Sequence, residues 1–507
     1  MIYGKNPLTR GDYPDVDVIR VDDTYYMVST TMYFQPGGAI LRSYDLVNWE
    51  LLTHVYDTLD DTDRQNLVGE QNAYSCGMWA PVIRYHEGVF HVIFIANDTH
   101  KTYHYTATDI MGPWKKSYIE GFYHDTSLLF DDDGKVYLMY GGRNIWLTEM
   151  EPDLSKPKEG GFNEVVIQDK PGNFLGFEGC HLYKINGKYY AFFIHSHEEK
   201  WFRSEAAFMA DDIHGPWTNC GDVIDSPMPN GTAGSPGVAQ GGIVDTPDGR
   251  WFGLIFSDHG AVGRIPNLVP MHFAEDGTPV FDIPSLDIQN TSTRPDHKYA
   301  PLFVSDDFDY TPDESGKIKL NEVWEFNHNP NNDAWTVEDS CYVIKTDKIA
   351  KSVDYAHNTL TQRTVWSECE ATLTIDGKDM LDGDCAGLTV LQYQYGLAGI
   401  AKEDGEYYAV MRCRQKDFEG EKARIKLDSD KLTVKACCYF GVGREYTEFF
   451  ALLGGEWVQL GEKNHVIFDL KHFTGARYGI FNYATKEIGG VARFDKFTYT
   501  YPEEPEK

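Results

Sequence analysis

Three carboxylates hold equivalent places in the first half of the sequence, and their spacing suggests chemistry. Asp15 lies in GDYPDVDVI, Asp125 in YHDTSLLF and Glu178 in GFEGCHLY, each directly before or at the start of an apolar segment. Acidic residues before a strand are ordinary turn residues, and a repeated unit creates equivalent turn positions by itself. Three carboxylates that converge would instead indicate catalysis, so the question is whether the fold brings them together.

These segments belong to a pattern that recurs five times: an apolar strand, a tight turn and a second strand rich in aromatic residues. Asp-Gly, Asn-Gly and Glu-Gly at turn centres indicate β-hairpins, because a positive φ is favourable there. Several hairpins are followed by an Asp-led turn and a Trp, which is typical of an outer strand. The hairpins are VDVIRVDDTYYMVSTT at 16–31, PVIRYHEGVFHVIFIAN from Pro81, SLLFDDDGKVYLMYGG from Ser127, CHLYKINGKYYAFFIH from Cys180 and GGIVDTPDGRWFGLIF from Gly241.

Five matched all-β units, spaced by roughly 50 to 65 residues, predict a five-bladed β-propeller of four-stranded blades. A β-sandwich could give similar hairpins but would not readily explain five matched units. In a propeller the innermost strands surround a narrow channel. We therefore expect Asp15, Asp125 and Glu178 to meet at one channel mouth, although they are far apart in sequence.

The second half of the chain has a different texture and predicts a second domain. At 507 residues the chain is long enough for two domains. The stretch IPSLDIQNTSTRPDHKYAP is polar and contains prolines, as linkers do. Later segments such as ECEATLTI and EYYAVMRCR are typical of an antiparallel β-sandwich. We predict an all-β protein with a propeller over residues 1–290, a linker over 291–302 and a sandwich over 303–507.

The composition limits the partners of the protein. Asp and Glu number 78 against 46 Lys and Arg, a formal net charge of -32. Such a surface repels nucleic acids and anionic membranes. The sequence contains no run of eighteen apolar residues, the length that a membrane-spanning helix needs. Neither nucleic acid nor a membrane is therefore an expected partner. Nine scattered Cys and an N-terminus without an apolar leader lead us to expect a cytoplasmic protein. Exposed sandwich faces often mediate dimers, so a homo-oligomer stays open.

Several motifs resemble glycoside hydrolase family 43. They are YPDVDVIRVDDTYYMVSTT at the N-terminus, MWAPVIRY from Met78, HDTSLLFDDDGKVYL around Asp125 and FEGCHLYKINGKYY around Glu178. The second half resembles the concanavalin-A-like β-sandwich, a jelly roll, of the β-xylosidase and α-L-arabinofuranosidase members of that family. WEFNHNPNNDAW, LTQRT and CAGLTVLQYQYG carry this second match. The resemblance covers nearly the whole chain.

The resemblance implies a role for each carboxylate. Asp15 becomes the general base, Glu178 the general acid, and Asp125 the residue that tunes the pKa of the acid and orients it. An inverting glycosidase protonates the leaving oxygen with one carboxyl group and activates a water on the opposite sugar face with another, across roughly 6.5 to 9.5 Å. This chemistry requires no cofactor.

The same resemblance implies an exo-acting enzyme that releases terminal β-D-xylose or α-L-arabinofuranose from xylo-oligosaccharides or arabinoxylan fragments, with β-xylosidase activity favoured. In similar enzymes a loop from the sandwich closes one end of the propeller cleft. α-L-Arabinofuranosidase as the main activity stays open, because many relatives cleave both sugars. A non-catalytic carbohydrate-binding propeller would lack one carboxylate, and a protein-interaction propeller would need no convergent acids.

Three further residues are candidates for substrate binding. Trp79, in the WAP motif, would stack on the sugar or else pack between blades. Phe34, in YFQPGG, would wall the pocket or else pack a loop. Arg264, in AVGRIP, matches an arginine that hydrogen-bonds the terminal sugar in the xylosidases of the family; the alternative is a surface salt bridge.

Metal binding is predicted at two places. Many family members place a His on the fifth blade near a central hydrated calcium, and Gln240 takes that place here, which puts the channel calcium in doubt. We also include Gln240 among the substrate-binding candidates. In the sandwich, Asp307 and Asp495 could clamp a structural Ca²⁺, a hard cation that prefers oxygen ligands.

Overall fold

The computed structural model describes residues 1–199, 201–229, 237–314, 316–441 and 444–503, and the regular structure of these residues is nearly all β. Two short 3-10 turns, Gly260–Val262 and Val353–Tyr355, accompany the strands. None of the helical segments in these ranges has the length and hydrophobicity needed to cross a membrane. The predicted all-β class is confirmed.

Five four-stranded antiparallel sheets, the blades, follow one another along the first half of the chain. The strands of this half are β1 (Ile2–Lys5), β2 (Asp17–Val21), β3 (Thr24–Ser29), β4 (Phe34–Gln35), β5 (Gly37–Ser43), β6 (Glu50–Tyr56), β7 (Met78–His86), β8 (Val89–Ala96), β9 (Lys101–Ala107), β10 (Lys115–Ile119), β11 (Ser127–Phe130), β12 (Val136–Tyr140), β13 (Asn144–Met150), β14 (Asn163–Gln168), β15 (Glu178–Ile185), β16 (Lys188–Ser196), β17 (Arg203–Ala210), β18 (Thr218–Ile224), β19 (Val238–Asp245), β20 (Trp251–Asp258), β21 (Arg264–Phe273), β22 (Pro279–Phe281) and β23 (Asp287–Asn290).

Blade 1 contains β2, β3, β5 and β6, and the next sixteen strands from β7 to β22 form blades 2 to 5 in order. The first strand of each blade is innermost, because β2, β7, β11, β15 and β19 contact one another in a closed ring. Outside the blades, β1 pairs with β23. The predicted five-bladed propeller is confirmed.

Three of the inner strands carry a register shift near their first residues. The shifts lie between Trp79 and Val82 in β7, between Glu178 and His181 in β15, and between Ala239 and Gly241 in β19. A β-bulge bends its strand and re-aims the neighbouring side chains. All three bulges therefore shape the same end of the channel, the end at which the inner strands begin.

The second domain is a sandwich of two antiparallel sheets, as predicted. Its strands are β24 (Glu325–Asn327), β25 (Trp335–Glu338), β26 (Cys341–Lys345), β27 (Leu360–Arg363), β28 (Glu368–Asp379), β29 (Asp384–Leu391), β30 (Gly396–Glu403), β31 (Glu406–Gln415), β32 (Phe418–Leu427), β33 (Lys431–Tyr439), β34 (Tyr446–Leu453), β35 (Glu456–Gln459), β36 (Asn464–His465), β37 (Arg477–Ala484) and β38 (Val491–Thr500). One sheet has the order β32-β31-β30-β29-β37-β27-β24, and the other β25-β26-β38-β28-β33-β34-β35, with β36 beside β34.

The two domains share a sheet. The short strand β4, which branches from blade 1, pairs with β24 and so becomes the edge strand of the first sandwich sheet. The partners are Phe34 opposite Asn327 and Gln35 opposite Phe326. Backbone hydrogen bonds therefore cross the domain boundary, and the two domains are joined by more than the connecting peptide.

A buried ionic cluster lies under this shared sheet. The carboxylate of Glu325, which is fully buried, bonds Arg363 Nη1 at 2.8 Å, Arg477 Nη1 at 2.5 Å and His54 Nε2 at 3.1 Å. Burial alone would raise the pKa of Glu325, but the charges of Arg363 and Arg477 lower it far below its usual range. Because His54 belongs to blade 1 and both arginines to the sandwich, the cluster couples the folding of the two domains.

We expect Arg477→Met to destabilise the whole protein by about 3–5 kcal/mol, because it leaves the buried charge of Glu325 with fewer partners. Urea unfolding followed by tryptophan fluorescence and circular dichroism would measure the change. Arg424→Met is the matched control, since it breaks the exposed pair with Glu403 and should cost no more than about 1 kcal/mol. Equal effects of the two variants would contradict a coupling role for the buried cluster.

Candidate active site

The three predicted carboxylates lie at the beginning of inner strands, at one mouth of the channel. Asp15 and Asp125 precede β2 and β11 in a left-handed backbone conformation, with φ of 52° and 48°, which Asp tolerates better than most residues. Glu178 is the first residue of β15, at its bulge. The Gly179 N–H donates to Asp125 Oδ2 at 3.1 Å, and the charges of Glu178 and Asp15 both act on Asp125. The structure thus brings the three together.

Asp15 is held by an arginine from the fifth blade. Arg264 Nη1 donates to Asp15 Oδ1 at 2.6 Å, and both side chains are largely buried. The backbone N–H of Arg264 donates to Asp12 Oδ1 at 2.7 Å, which fixes the start of β21. Arg264 Nη2 is buried and has no hydrogen-bond partner among the residues that the structure describes. Since buried donors are almost always satisfied, this nitrogen keeps an unused hydrogen-bonding capacity next to Asp15.

A histidine that sequence reasoning missed lies between the other two carboxylates. The Nδ1 atom of His124 is 3.5 Å from Asp125 Oδ1, and its Nε2 atom is 3.8 Å from Glu178 Oε2. The signal was its place directly before Asp125 in YHDTS. With one ring nitrogen towards each carboxylate, His124 can hold both side chains in place.

Two pKa values in this cluster are raised, each for a different main reason. The negative charge of Asp125, with a smaller contribution from Glu178, raises the pKa of His124 to about 9. Burial raises the pKa of Asp125 to about 6, with the charges of Glu178 and Asp15 adding to the effect and His124 opposing it. At neutral pH the imidazolium of His124 therefore offsets part of the negative charge collected at the mouth.

A loop of the sandwich closes one side of the mouth. Within residues 467–476, Phe473 lies with its ring 4.5 Å from the Arg264 guanidinium and 5.4 Å from the Trp79 ring in a T-shaped arrangement. The Gly475 N–H donates to Asp12 Oδ2 at 2.7 Å and anchors the loop on the propeller. Phe473 was not foreseen, because nothing in the sequence relates it to a strand almost four hundred residues earlier.

The other predicted binding residues have different surroundings. Trp79 is half-buried at the mouth, beside Phe473 and with its ring 6.2 Å from that of His124. Gln240 is buried and packs against Gly179. A Cβ added to Gly179 would lie only 2.6 Å from the Cδ atom of Gln240. Gln240 therefore supports the backbone next to Glu178, and its predicted contact with substrate stays a prediction.

Phe34 needs a correction. Its ring is 1% exposed and packs 3.5 Å below the Arg477 guanidinium at the domain junction, so it does not wall the pocket. Of the two readings that the sequence left open for Phe34, packing is the one that the structure supports. The pairing of β4 with β24 draws this residue into the sandwich.

Two groups of side chains among the described residues have the geometry of metal ligands. In the described ranges, two groups of three or more side chains could hold a metal ion: His124, Asp125 and Glu178, and His197, Asp222 and Asp225. The first group is the carboxylate site itself. Neither contains Asp307, which is exposed, or Asp495, which is half-buried. A calcium ion at Asp307 and Asp495 stays a prediction that rests on two carboxylates.

A closed ring of blades with carboxylates at one channel mouth, joined to a sandwich that contributes an aromatic wall, defines a glycosidase. The family model described as "Glycosyl hydrolases family 43" matches residues 4–279, and the one described as "Beta xylosidase C-terminal Concanavalin A-like domain" matches residues 307–500. The first match covers more than half of the chain, and the chain belongs to glycosyl hydrolase family 43. The resemblance seen in the motifs is thereby confirmed.

Relatives cover the chain almost completely. A β-xylosidase of Formosa agariphila is 25% identical over 98% of this chain and 90% of its own length. Xylosidase/arabinosidase 43B of Humicola insolens is 26% identical over 99% of this chain and 98% of its own length. A solved structure, a bifunctional GH43-CE protein of Bacteroides eggerthii, has a TM-score of 0.89 at 37% identity over 99% of this chain. This chain spans 64% of the length of that bifunctional protein.

We expect Asp125→Asn to lower the pKa of His124 from about 9 towards its usual value, because the variant removes the largest cause of the shift. Titration of ¹³C-labelled histidine by NMR would measure it, with the His124 signal assigned through His124→Gln. Asp133→Asn, in the exposed turn at the other end of the same hairpin, is the control and should leave the signal unchanged. An unchanged His124 pKa in the Asp125 variant would show that the two groups do not interact.

Proposed function

We propose that this glycosidase is an exo-acting, inverting enzyme that releases terminal β-D-xylose, and α-L-arabinofuranose as a second product, from xylo-oligosaccharides or arabinoxylan fragments. The observation that carries the proposal is the meeting of Asp15, Asp125 and Glu178 at one mouth that a sandwich loop partly closes. The strongly acidic surface suits a neutral sugar as partner.

In the proposed mechanism Asp15 acts as general base. Its Oδ1 atom is occupied by Arg264 at 2.6 Å, which leaves Oδ2 to accept a proton from the water that attacks the anomeric carbon. The rigid pair with Arg264 fixes the direction from which that water approaches. Arg264 Nη2 has no partner among the described residues and would donate to a hydroxyl of the same sugar once the side chains that cover it move aside, so one arginine would orient both the base and the substrate.

Glu178 acts as general acid in this proposal. It gives its proton to the glycosidic oxygen as the bond to the anomeric carbon breaks, and the water adds from the opposite face, so the configuration inverts. The Glu178 side chain is 31% exposed, which lets the leaving group extend into solvent. Asp125 accepts the Gly179 N–H and so fixes the backbone next to the acid. A pair of carboxyl groups performs this reaction without a cofactor.

Exo action is supported by the closure of the mouth. The loop 467–476 presents Phe473 against Trp79 and is anchored on Asp12. Aromatic rings at this place offer apolar faces to a sugar ring while they occupy the path of a continuing polysaccharide. A site closed on this side would admit a chain end or a side branch rather than the middle of a chain.

The choice of sugar rests on the relatives. The similar proteins of Formosa agariphila and Humicola insolens bear the names β-xylosidase and xylosidase/arabinosidase. β-D-Xylopyranose and α-L-arabinofuranose present similar hydroxyl groups at the cleaved bond, so one site can accept both. We therefore favour β-xylosidase activity, with α-L-arabinofuranosidase activity as the alternative main function.

We expect hydrolysis of p-nitrophenyl-β-D-xylopyranoside, and slower hydrolysis of p-nitrophenyl-α-L-arabinofuranoside. Proton NMR of the first reaction should show α-xylose before β-xylose, because the attack by water inverts the anomeric carbon. Faster cleavage of the arabinofuranoside would reverse the order of the two activities. Cleavage of neither substrate by folded protein would contradict the pentosidase proposal, and early β-xylose would contradict inversion.

We expect Asp15→Ala to lower kcat by about 10²–10⁴-fold, the usual contribution of a general base, while the circular dichroism spectrum stays unchanged. Asp22→Ala is the matched control, because Asp22 has nearly the same backbone conformation, with φ of 54°, but is exposed in the β2–β3 turn. It removes an Asp from a left-handed position without touching the mouth. Wild-type kcat in the Asp15 variant would exclude Asp15 as the base.

A further inference from the structure

The centre of the propeller channel is occupied by a side chain from blade 2. Arg84 leaves β7 and reaches the inner strands of three other blades. Its Nη1 donates to Asp17 Oδ2 in β2 at 2.6 Å, and its Nε and Nη2 donate to Leu128 O and Ser127 Oγ in β11, both at 2.9 Å. Nη2 also lies 3.3 Å from Leu182 O in β15. Blades 2 and 4 are not neighbours, so the guanidinium lies across the axis.

Blade 5 joins the same arrangement through a tyrosine. The Tyr183 ring lies 5.2 Å from the Arg84 guanidinium, and the Tyr183 hydroxyl oxygen accepts the Ile243 N–H at 2.9 Å. The neighbouring residue, Gly242, has no room for a side chain: a Cβ there would lie 2.7 Å from Tyr183 Oη and 2.8 Å from Asp17 Oδ1. All five inner strands are therefore connected, directly or through one residue, to a single cation.

Asp17 is the fully buried counter-charge of this cation. Its Oδ2 accepts from Arg84 and from the Ile83 N–H, and its Oδ1 is 3.1 Å from His181 Nδ1. An ionised carboxylate without partners would be strongly unfavourable at such a place. With these donors the carboxylate of Asp17 is satisfied. Among the described residues, Asp17 is the only carboxylate that the Arg84 guanidinium bonds. A calcium ion on the axis would have to displace the guanidinium from it, so the residues there do not fit calcium.

We infer that Arg84 takes the place of a channel metal ion and is a positioning residue for the catalytic carboxylates. This inference rests on the proposed function for its kinetic readout. Every strand that Arg84 binds carries a carboxylate of the site at its beginning: Asp15 is two residues before Asp17, Asp125 two residues before Ser127, and Glu178 four residues before Leu182.

The geometry explains why a planar, five-donor side chain suits this place. A guanidinium donates in several fixed directions at once, whereas an ammonium is a compact point charge. Arg84 uses three nitrogens towards three strands, because Nη2 bonds both β11 and β15. It therefore fixes the distances between strands as well as neutralising Asp17. A shift of about 1 Å in a catalytic group can reduce turnover about a hundredfold, so small changes in strand spacing would be visible in kcat.

The first test measures metal content and needs no substrate. Protein in which Asp307 and Asp495 are both replaced by Asn, so that the predicted sandwich site cannot contribute, is examined by elemental analysis as purified and by thermal unfolding after dialysis against EDTA, with and without added CaCl₂. We expect substoichiometric calcium and the same Tm in both conditions. One tightly bound calcium ion per chain whose removal lowers Tm and kcat would overturn the inference.

The second test compares three variants on p-nitrophenyl-β-D-xylopyranoside. Arg84→Met should reduce kcat about a hundredfold with little change in KM, and Arg84→Lys should restore part of the loss, since it keeps the charge but not the planar fork. Arg20→Met is the matched control: Arg20 pairs with Asp245 at 2.5 Å and also links two inner strands, but at the end of β2 away from the mouth. It should lower Tm while kcat stays near that of the wild type.

Wild-type kcat in folded Arg84→Met, or an equal loss of kcat in Arg20→Met, would show that Arg84 has no special positioning role. If Arg84→Met does not fold, Arg84→Lys and the calcium measurement decide between the outcomes. A wild-type protein without activity on the pentosides would count against the proposed function only, because calcium content and Tm are measured without substrate.

Discussion

The burial of Glu325 is the constraint on which the rest of the structure depends. A carboxylate with no exposed surface stays ionised only with cationic partners, and these come from both domains: His54 from the first blade, Arg363 and Arg477 from the sandwich. Arg477 begins β37 directly after the loop 467–476. The position that satisfies Glu325 therefore also fixes the loop, and with it Phe473 at the channel mouth.

The mouth itself shows how three acidic groups can lie close together in a partly buried place. Each is matched with a cation: Asp15 with Arg264 at 2.6 Å, and Asp125 and Glu178 with His124. Like charges without such partners would repel one another and favour protonation. The mouth therefore keeps three carboxyl groups but has a smaller net negative charge than three carboxylates without cations would give. Such a site suits a neutral sugar better than an ionic ligand.

Most of the fold was readable in the sequence, because each blade is a local unit. Hairpins with Asp-Gly or Asn-Gly turns form between segments that are close in sequence, and the number of such hairpins indicates the number of blades. The carboxylates could be found for the same reason, since Asp15, Asp125 and Glu178 recur at one place in the repeat. Arg264 was matched through the family, and the structure gives it the contact to Asp15.

Contacts between distant parts of the chain could not be read in this way. Phe473 reaches the mouth only because the sandwich docks on the propeller, and no periodic pattern encodes docking. The sequence could not decide between the two readings of Phe34 for the same reason: its short strand pairs with β24 of the other domain. His124 was missed although it adjoins Asp125, because a single His has no signature until its neighbours in space are known.

The pairing of β1 with β23 has a consequence for how the protein is made. β1 and β23 join residues near position 2 to residues near position 290 outside the blades, the ring of blades is closed by the contact of β2 with β19, and the mouth is completed only by the loop near position 473. Contacts between such distant parts of a chain form slowly, and during synthesis they cannot form until the later residues have left the ribosome. The inner strand of blade 1 therefore waits for β19 before it is packed on both sides, and catalytic competence arrives only after the residues of the loop near position 473 have been synthesised. In this protein the appearance of activity would indicate that folding is complete.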